Sequence, residues 1–282
     1  MNLPRRPGPT SRRFVHEVVD GTARPRPDAV VTEEPLEIRL SWPGQPAHRV
    51  AVTMRTPGAD FELAAGFLLA EGVVPLCEPP RSVAYCTDVS LAPEQEYNVV
   101  TVELADTPRR HPGSRSTAIS SACGVCGTES IDEIFRPDDD PIPVGSLVKA
   151  DVISSLPDRL GERQRVFSRT GSLHAAGVFD PTGRFVVARE DVGRHNAVDK
   201  VLGARQLGST SYDADVLLCV SGRVGFDIIT KAVAGRLGTV VAVGGPSSLA
   251  LDLAERAGVT VCGFTRGGRF VAYTHPERIA GI

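Results

Sequence analysis

From residue 215 onward the sequence alternates short apolar runs with longer segments of helical periodicity. The apolar runs predict strands over 216–220, 239–243 and 259–264, and the intervening segments predict helices over 227–236 and 247–257. A strand, a helix and a second strand form a βαβ unit, whose two strands lie parallel in one sheet. This half of the chain is therefore predicted to be an α/β layer with a largely parallel sheet.

The preceding half has a strand-rich pattern. Apolar and polar residues alternate on both sides of the turn-forming Trp42-Pro43-Gly44, which predicts strands with one buried face. Asp60 is the predicted N-cap of a helix over 61–71. Strands in this half are predicted over 36–40, 50–54, 81–86 and 97–104.

These patterns predict two domains, so the fold class is α/β in the C-terminal part and α+β overall. Residues 1–29 are rich in Pro, Arg and Gly, lack apolar periodicity and are predicted to be a disordered tail. A smaller N-terminal β-rich domain is assigned to 30–118, the CxxC loop and a connector rich in Pro and Asp to 119–145, and the C-terminal α/β domain to 146–282.

The composition limits the partners. A formal net charge of −3 argues against general nucleic-acid binding, which needs a basic surface to neutralise phosphates. No window approaches the roughly 20 apolar residues of a membrane span. No apolar segment follows the arginines near the N-terminus, so a secretory signal is not expected either. We expect a cytoplasmic protein with no membrane partner.

Four of the six cysteines have unremarkable surroundings. Cys219 and Cys262 stand in apolar, strand-like runs, where a cysteine usually serves as a small buried hydrophobic residue. Cys77 and Cys86 lie in or beside turn-like sequence, and a specific role is not indicated for them.

Cys123 and Cys126 form a close Cys-x-x-Cys pair. A glycine follows each of them, which leaves the sulfur atoms sterically open. Residues 130–135 have the S-x-x-E form of a capping box that leads into a short helix. The positive end of that helix favours thiolate over thiol. In a reducing compartment such a pair indicates metal, redox or sulfur chemistry rather than a structural disulfide.

Other interpretations of the pair fit less well. A zinc site needs two more Cys or His ligands, and His111 is the only nearby histidine. A thioredoxin-type motif would follow a strand, whereas a polar loop precedes Cys123. A zinc deaminase needs H-x-E, where this chain has His174-Ala175-Ala176. Spacing alone leaves metal binding open and favours redox or sulfur chemistry, so a non-catalytic, zinc-containing cofactor-binding chaperone is the alternative function.

A dense polar run, 190–200, follows the predicted strand over 185–188. In a helix, His195 and Asp199 share one face at i, i+4 spacing. Because α/β sheets place ligands at the carboxyl ends of their strands, His195 is a candidate binding residue, and His174 could join it. The competing interpretations are a solvated helix with ordinary ion pairs and a structural histidine.

Three glycine turns follow successive predicted strands. They are Ser221-Gly222-Arg223, 244–248 and 265–269. Open backbone N–H groups together with hydroxyls and arginines suit phosphate or pyrophosphate. Tight turns required by the fold would explain the glycines but not the arginines.

In this order the motifs resemble the formate dehydrogenase accessory sulfurtransferase family (FdhD). The resemblance covers nearly the whole chain, from about Glu34 to Tyr273. Its markers are Met54-Arg55-Thr56-Pro57-Gly58, residues 61–68, Cys123-Gly124-Val125-Cys126-Gly127, residues 190–200 and Ser221-Gly222-Arg223.

The resemblance implies a homodimer whose C-terminal domain is similar to the cytidine deaminase fold but lacks the deaminase site. It implies a sulfur carrier, or sulfurtransferase, that is required for formate dehydrogenase activity. Persulfide sulfur would pass from a cysteine desulfurase to the molybdenum cofactor, bis-molybdopterin guanine dinucleotide, before the cofactor is inserted into formate dehydrogenase. The cofactor would be cargo, and no permanently bound cofactor or metal is expected.

The resemblance also implies site residues by position. Cys123 would bear the persulfide and Cys126 would assist the transfer. Contacts to the guanine dinucleotide would come from Phe264, Thr265, Arg266, Gly267, Gly268 and Arg269. The other candidate cofactor-binding residues are Ser221, Gly222, Arg223, His174 and His195. The chain departs from the usual family pattern at Ser172, Gly225, Asp227 and Gly244-Gly245-Pro246, whereas the cysteine motif is intact.

Overall fold

The computed structural model describes residues 6–87, 92, 95–110, 142, 145–208 and 216–282. The elements up to the predicted connector are β1 (Thr10–Val19), β2 (Thr22–Val31), β3 (Glu34–Trp42), β4 (Gln45–Arg55), α1 (Asp60–Ala70), β5 (Ser82–Tyr85) and β6 (Val99–Glu103). Those beyond it are β7 (Val148–Lys149), α2 (Ala150–Gly161), α3 (Phe167–Thr170), β8 (His174–Phe179), β9 (Phe185–Asp191), α4 (Arg194–Leu207), β10 (Leu217–Val220), α5 (Phe226–Ala234), β11 (Thr239–Ala242), α6 (Ser248–Ala257), β12 (Thr260–Arg266), β13 (Arg269–Thr274) and β14 (Ile279–Ala280). The predicted mixed α/β character is confirmed.

A six-stranded sheet with the order β13-β12-β11-β10-β8-β9 forms the centre of the C-terminal part. Strands β10, β11 and β12 are parallel because helices α5 and α6 connect them, as the alternating pattern predicts. The prediction of a largely parallel sheet is nevertheless wrong, since β8 pairs antiparallel with β9 and β10, and β13 with β12. Short turns fold β9 and β13 back as hairpins. Strand β9 runs in the same direction as β10, so β9 to β12 all end at one edge.

Helices cover both faces of this sheet. Helices α4, α5 and α6 pack on one face within the larger apolar core. Helix α2 covers the other face, where Ile153 and Leu156 pack in one cluster with Cys219 and Cys262. Both cysteines are completely buried, which confirms that they serve as small core residues. Within the described ranges, no helix has both the length and the hydropathy needed to span a membrane.

The N-terminal strands form a four-stranded sheet with the order β4-β3-β6-β5. Leu36, Ile38 and Leu40 of β3 are fully buried and alternate with partly exposed residues, as predicted. Strand β3 pairs antiparallel with β4 and parallel with β6. Helix α1, which follows β4, presents buried residues along most of its length.

Asp60 does not cap helix α1, contrary to the prediction. The helix begins at Asp60, follows Ala59 with its φ of 56°, and has no side-chain cap. The buried Asp60 carboxylate instead accepts hydrogen bonds from Arg55 Nε (3.0 Å), Arg55 Nη2 (3.2 Å) and the Tyr85 hydroxyl (2.7 Å). Because Arg55 is fully buried, leaving its guanidinium without a partner would destabilise the fold more than the absence of a side-chain cap on α1 does.

Helices α1 and α4 join the two parts of the chain at a close crossing. A Cβ atom added at Gly66 would lie 1.8 Å from the Asp199 carbonyl oxygen, and one added at Gly203 would lie 1.8 Å from the Glu62 carbonyl oxygen. Two backbones can approach this closely only where both residues lack a side chain.

One apolar core runs through both parts. It includes Leu36 and Val100 of the four-stranded sheet together with Val198 of α4, Leu218 of β10 and Val240 of β11. The predicted domain limits stay predictions, because residues 111–141 lie outside the described residues. The packing shows that the two parts share their apolar interior.

Residues 10–31 form a β-hairpin, so the prediction of a disordered tail over 1–29 is wrong for this segment. Strands β1 and β2 pair antiparallel over ten positions, from Thr10 opposite Val31 to Val19 opposite Thr22. The turn residues Asp20 (φ 48°) and Gly21 (φ 77°) both have positive φ, as in the type I′ turn that Asp-Gly favours. The prediction considered composition and overlooked this turn signal.

Candidate functional site

The predicted ligand-binding turns come together at the edge where β9 to β12 end. Ser221-Gly222-Arg223 follows β10, and Gly244 lies in the turn after β11. Phe264 lies in β12 just beyond the last residue that pairs with β11. The Gly244 N–H donates to the Gly222 carbonyl oxygen (3.0 Å), and the Phe264 N–H donates to the Gly244 carbonyl oxygen (3.1 Å). These hydrogen bonds make one continuous surface from three motifs that are distant in sequence.

The same hydrogen bonds change the expectation that these turns offer open backbone N–H groups. The N–H groups of Gly244 and Phe264 are used between the turns, and that of Ser221 donates to the Ala175 carbonyl oxygen (3.0 Å). The Ser221 hydroxyl accepts a hydrogen bond from the Ala175 N–H (2.9 Å) and so ties β10 to β8. Ser221 therefore has a structural task, and anion binding at this edge depends more on side chains and helix ends.

Three helices begin at this edge. Helices α4, α5 and α6 start at Arg194, Phe226 and Ser248, directly after the turns that follow β9, β10 and β11. The positive ends of their dipoles therefore point toward the same surface, which favours anions. Arg223, which is exposed, adds a positive charge there. The anion-binding surface that the sequence predicts at the strand ends stays a prediction.

Glycines let aromatic rings approach the turns. A Cβ atom at Gly245 would lie 2.6 Å from Cζ of Phe264, so the Phe264 ring rests directly on the backbone of the β11 turn. A Cβ atom at Gly222 would lie 3.5 Å from Nδ1 of His174 and 3.6 Å from Cδ of Arg194. The structure thus places His174 beside the Gly222 turn and adds Arg194, which the sequence did not single out.

His174 is half-buried at the start of β8. Burial lowers its pKa, and the nearby Arg194 guanidinium and the neighbouring His195 lower it further. The imidazole is therefore neutral near pH 7, and its two ring nitrogens provide one hydrogen-bond donor and one acceptor. A neutral His174 suits a polar, uncharged group of a ligand better than a phosphate.

His195 lies deeper, between helices α4 and α5. Its Nε2 atom is 3.3 Å from Oδ2 of Asp227, which is within ion-pair distance although the two atoms are not aligned as a hydrogen bond. One turn further along both helices, Lys231 Nζ donates to Asp199 Oδ1 at 2.6 Å. Burial raises the pKa of Asp199. The predicted i, i+4 arrangement of His195 and Asp199 is confirmed, but these residues pair with α5 rather than face the surface.

Much of the polar run 190–200 holds the two parts of the chain together. Asp191 is fully buried and lies 2.7 Å from Lys200 Nζ, and it accepts hydrogen bonds from the N–H groups of Thr56 (3.1 Å) and Gly193 (2.8 Å). Lys200 also donates to the Thr56 carbonyl oxygen (2.8 Å). Residues 54–58 and 190–200, two markers of the resemblance, therefore contact each other. Asp191, which was not singled out, is the centre of this network.

Glu190 has a separate structural task. Its carboxylate accepts hydrogen bonds from the backbone N–H groups of Val166 (2.9 Å) and Phe167 (2.7 Å), at the start of α3. The Glu190 side chain thus provides hydrogen-bond acceptors for N–H groups at the start of a short helix that have no partner within the helix. Glu190, Asp191 and Lys200 therefore make contacts that hold the fold, and the competing interpretation of a solvated helix is wrong for Asp191 and Lys200, which are buried.

The segment 264–269 is a hairpin, not a loop that follows the last strand. Gly267 (φ 57°) and Gly268 (φ 77°) form its turn, and Arg266 lies opposite Arg269. Phe264, Arg266 and Arg269 are exposed. Thr265 is completely buried, because successive residues of a strand point to opposite faces, so its side chain does not reach the surface. The turn itself requires the two glycines, whereas the arginines remain available to a ligand.

The predicted reactive pair, Cys123 and Cys126, lies outside the described residues, as does His111. Among the residues that the structure describes, no three His, Cys, Asp or Glu side chains are grouped as metal ligands. Of the cysteines in that part, Cys77 is exposed and Cys86 is partly exposed. The zinc and sulfur interpretations of the pair both stay predictions at this point.

Comparisons with known proteins agree on one family. A sequence model of the FdhD/NarQ family matches residues 31–280. A sulfur carrier protein FdhD of Streptomyces avermitilis is 45% identical over 285 residues, with 96% of each chain covered. One of Mycobacterium tuberculosis is 42% identical over 281 residues, covering 96% of this chain and 98% of that protein. A crystal structure from Desulfotalea psychrophila, provisionally described as a formate dehydrogenase accessory protein, has a TM-score of 0.76 and 25% identity, covering 96% of this chain and 99% of that one.

Proposed function

The chain belongs to the FdhD/NarQ family, and from this membership we propose that it carries persulfide sulfur during the maturation of a formate dehydrogenase. A cysteine desulfurase supplies the sulfur, and the molybdenum cofactor, bis-molybdopterin guanine dinucleotide, receives it before insertion. The structural observation that carries the proposal is the meeting of Arg223, His174 and Phe264 at one edge of the sheet.

In the proposed first step, the Cys123 thiolate attacks the outer sulfur of the desulfurase persulfide. The sulfur–sulfur bond of the donor breaks, its cysteine leaves as a thiolate, and Cys123 becomes a persulfide. The exchange moves one sulfur atom without a net change in oxidation state, so no external oxidant is needed. Cys126 assists the later release. A thiolate is the competent nucleophile, and glycine neighbours with a following helix support that state.

The sheet edge would hold the cargo by its nucleotide parts. Arg223 provides a cation for the diphosphate near the starts of α4, α5 and α6. The exposed ring of Phe264, supported by Gly245, offers a flat apolar surface for a base. The neutral His174 would accept or donate a hydrogen bond to an uncharged group. Holding the cofactor there positions molybdenum for transfer and lowers the entropic cost.

The same proposal includes the cytidine deaminase fold for residues 146–282. Support comes from a mixed sheet in which the β8–β9 hairpin precedes a β10-α5-β11-α6-β12 run, with helices on both faces. His174-Ala175-Ala176 in place of H-x-E supports a fold that has no deaminase chemistry.

Persulfide mapping tests the sulfur step. After incubation with a cysteine desulfurase and cysteine, the wild-type protein should gain the mass of one sulfur atom, and peptide mapping should place it on Cys123. The Cys123→Ala variant should gain none, while Cys77→Ala, which removes an exposed cysteine elsewhere, should be loaded as wild type. Loading of Cys123→Ala, or full activation of formate dehydrogenase by it, would refute the role of Cys123. Stoichiometric zinc that resists mild chelation would favour the chaperone alternative.

Binding of GDP, as a probe for the nucleotide half of the cargo, tests the sheet edge. Replacing Arg223 by alanine should weaken binding about tenfold, which corresponds to about 1.4 kcal/mol for one charge-assisted contact. The matched control is Arg256→Ala, which removes an exposed arginine from the last turn of α6, at the other end of that helix. Equal effects of the two substitutions would show that the affinity for GDP depends on the net charge of the protein and not on this edge of the sheet.

A further inference from the structure

Helices α4 and α5 are joined by two pairs of a basic and an acidic side chain. His195 is the second residue of α4 and Asp227 is the second residue of α5, and His195 Nε2 lies 3.3 Å from Asp227 Oδ2. One turn further from the sheet edge, Lys231 Nζ lies 2.6 Å from Asp199 Oδ1. The first of these pairs therefore lies where both helices begin, at the edge where the cargo is proposed to bind.

The His195 side chain is buried and its hydrogen bonding is incomplete. The residue is 7% exposed, and within the described part of the chain its Nε2 atom has no hydrogen-bond partner. A buried polar atom without a partner lowers the stability of a fold, so packing alone does not explain it. Asp227 is close enough that a small rotation of either side chain would complete the hydrogen bond. Contacts in a site are often loose before the ligand binds and tighten in the complex.

The charge of Asp227 matters for an anion at this edge. Asp227 lies in the first turn of α5, four residues after Arg223. The helix dipole favours a carboxylate there, which explains Asp227 but not the buried imidazole opposite it. The same carboxylate repels a phosphate group bound at the edge, because like charges a few ångströms apart disfavour each other. A hydrogen bond from His195 draws the carboxylate toward α4 and disperses its charge.

The residues that flank this pair lead directly to the edge. Arg194 precedes His195, and its Cδ atom would lie 3.6 Å from a Cβ atom added at Gly222. Gly222 and Arg223 belong to the turn that leads into α5. A shift of α5 relative to α4 would therefore move Arg223 relative to Arg194. A contact between His195 and Asp227 opposes such a shift.

We propose that His195 is a positioning residue of the anion site at the sheet edge. It acts through Asp227: it draws that carboxylate away from bound phosphate and holds the first turn of α5, with Arg223 before it, against α4. The inference rests on the proposed function, since it concerns the site that would hold the nucleotide part of the cargo. The Asp199–Lys231 pair belongs to the packing of the two helices and provides an internal control.

Binding of GDP to full-length variants tests the role of His195. His195→Leu should weaken binding at least about fivefold, because the Asp227 carboxylate then repels the diphosphate. Adding Asp227→Asn to that variant should restore most of the affinity, since the two substitutions act on one contact. Asp227→Asn alone should leave the dissociation constant within about threefold of wild type or lower it. His195→Gln, whose amide can still donate to Asp227, should also stay within about threefold.

The control for a general disturbance of the helix contact is the double variant Asp199→Asn/Lys231→Met. It removes the second pair without changing the net charge, and its affinity for GDP should stay within about threefold of wild type. Amide hydrogen exchange provides a readout without nucleotide. Residues 221–227 should exchange faster in His195→Leu than in wild type, and the double variant should change their exchange less. Thermal unfolding of each variant shows whether the fold is kept.

Three outcomes would overturn the proposal. One is a folded His195→Leu variant with the wild-type affinity for GDP. Another is a loss in His195→Leu that Asp227→Asn does not reduce, because His195 would then not act through Asp227. The third needs no change at His195: a fivefold loss of affinity in Asp227→Asn alone. A wild-type protein that binds no GDP would instead refute the cargo site of the proposed function. Hydrogen exchange over 221–227 would then still decide whether His195 holds the start of α5, and equal exchange in His195→Leu and wild type would show that it does not.

Discussion

Replacing Gly203 by alanine should be among the most destabilising single-methyl changes in this chain. The added Cβ atom would lie 1.8 Å from the carbonyl oxygen of Glu62, whereas real Cβ contacts essentially never fall below 3.0 Å. Helices α1 and α4 would have to separate by at least about 1.2 Å. The obstacle is backbone on both sides, so no side chain can rotate away to relieve it.

The magnitude follows from that separation. A gap of 0.5–1 Å already forfeits roughly a quarter to a half of the dispersion attraction between packed atoms, and overpacking typically costs about 1–3 kcal/mol. Because the crossing lies within the core shared by the two parts of the chain, we expect a loss of about 3 kcal/mol in the free energy of unfolding. For a chain of this size that corresponds to a decrease in Tm of roughly 6–12 °C.

Urea unfolding followed by circular dichroism measures the loss, with calorimetry for Tm. The control is Gly161→Ala in helix α2, where an added Cβ atom meets nothing within 4 Å. That change should be neutral or stabilise by up to about 1 kcal/mol, because alanine is the better helix former. A Gly203→Ala protein as stable as Gly161→Ala would refute the close crossing. Unfolding in two separate steps would refute a shared core.

Three further predictions concern charge, pH and thiol reactivity. Lys200→Met should lower the free energy of unfolding by about 3–5 kcal/mol in urea titrations, because it leaves the buried Asp191 carboxylate without its cation; Asp191→Asn in the same chain should recover part of the loss. The pKa of His174 is lowered by burial, so the unfolded chain takes up this proton first. The stability that the neutral His174 contributes is complete above pH 6.5, the ordinary pKa of histidine, and is lost as the pH falls below that value. His174→Gln should flatten this part of the stability–pH curve. An unchanged curve would contradict the lowered pKa of His174. Cys77 should react with a thiol reagent in the native protein, whereas burial raises the pKa of Cys219 and keeps it unreactive until the protein unfolds, as mass spectrometry after timed labelling would show.

Local pattern was sufficient for much of the fold. The run from β10 to β12 follows from the alternation of apolar strands and helices, and the buried state of Cys219 and Cys262 follows from their apolar neighbours. The candidate residues Gly222, Arg223 and Phe264 were found because each stands near the end of a predicted strand. Parallel strands joined by helices must end at one edge, so their meeting is a consequence of local pattern and connectivity.

Other features depend on contacts between residues far apart in the chain, which no local pattern contains. Asp60 pairs with Arg55 instead of capping α1, because leaving a buried guanidinium unpaired costs more than a cap is worth. Lys200 and Asp191 belong to the fold because residues 54–58 happen to lie against them.

The sequence by itself determined the run of strands and helices from β10 to β12 and the family. The direction of β13, the crossing at Gly66 and Gly203, and the exposure of Phe14 were decided only by the tertiary structure. The physical reason is that periodicity reports which side of an element is apolar, whereas only packing determines what that side meets. In helices α1 and α4 it meets another backbone, whereas in the β1–β2 hairpin Phe14 stays 84% exposed within the described part of the chain.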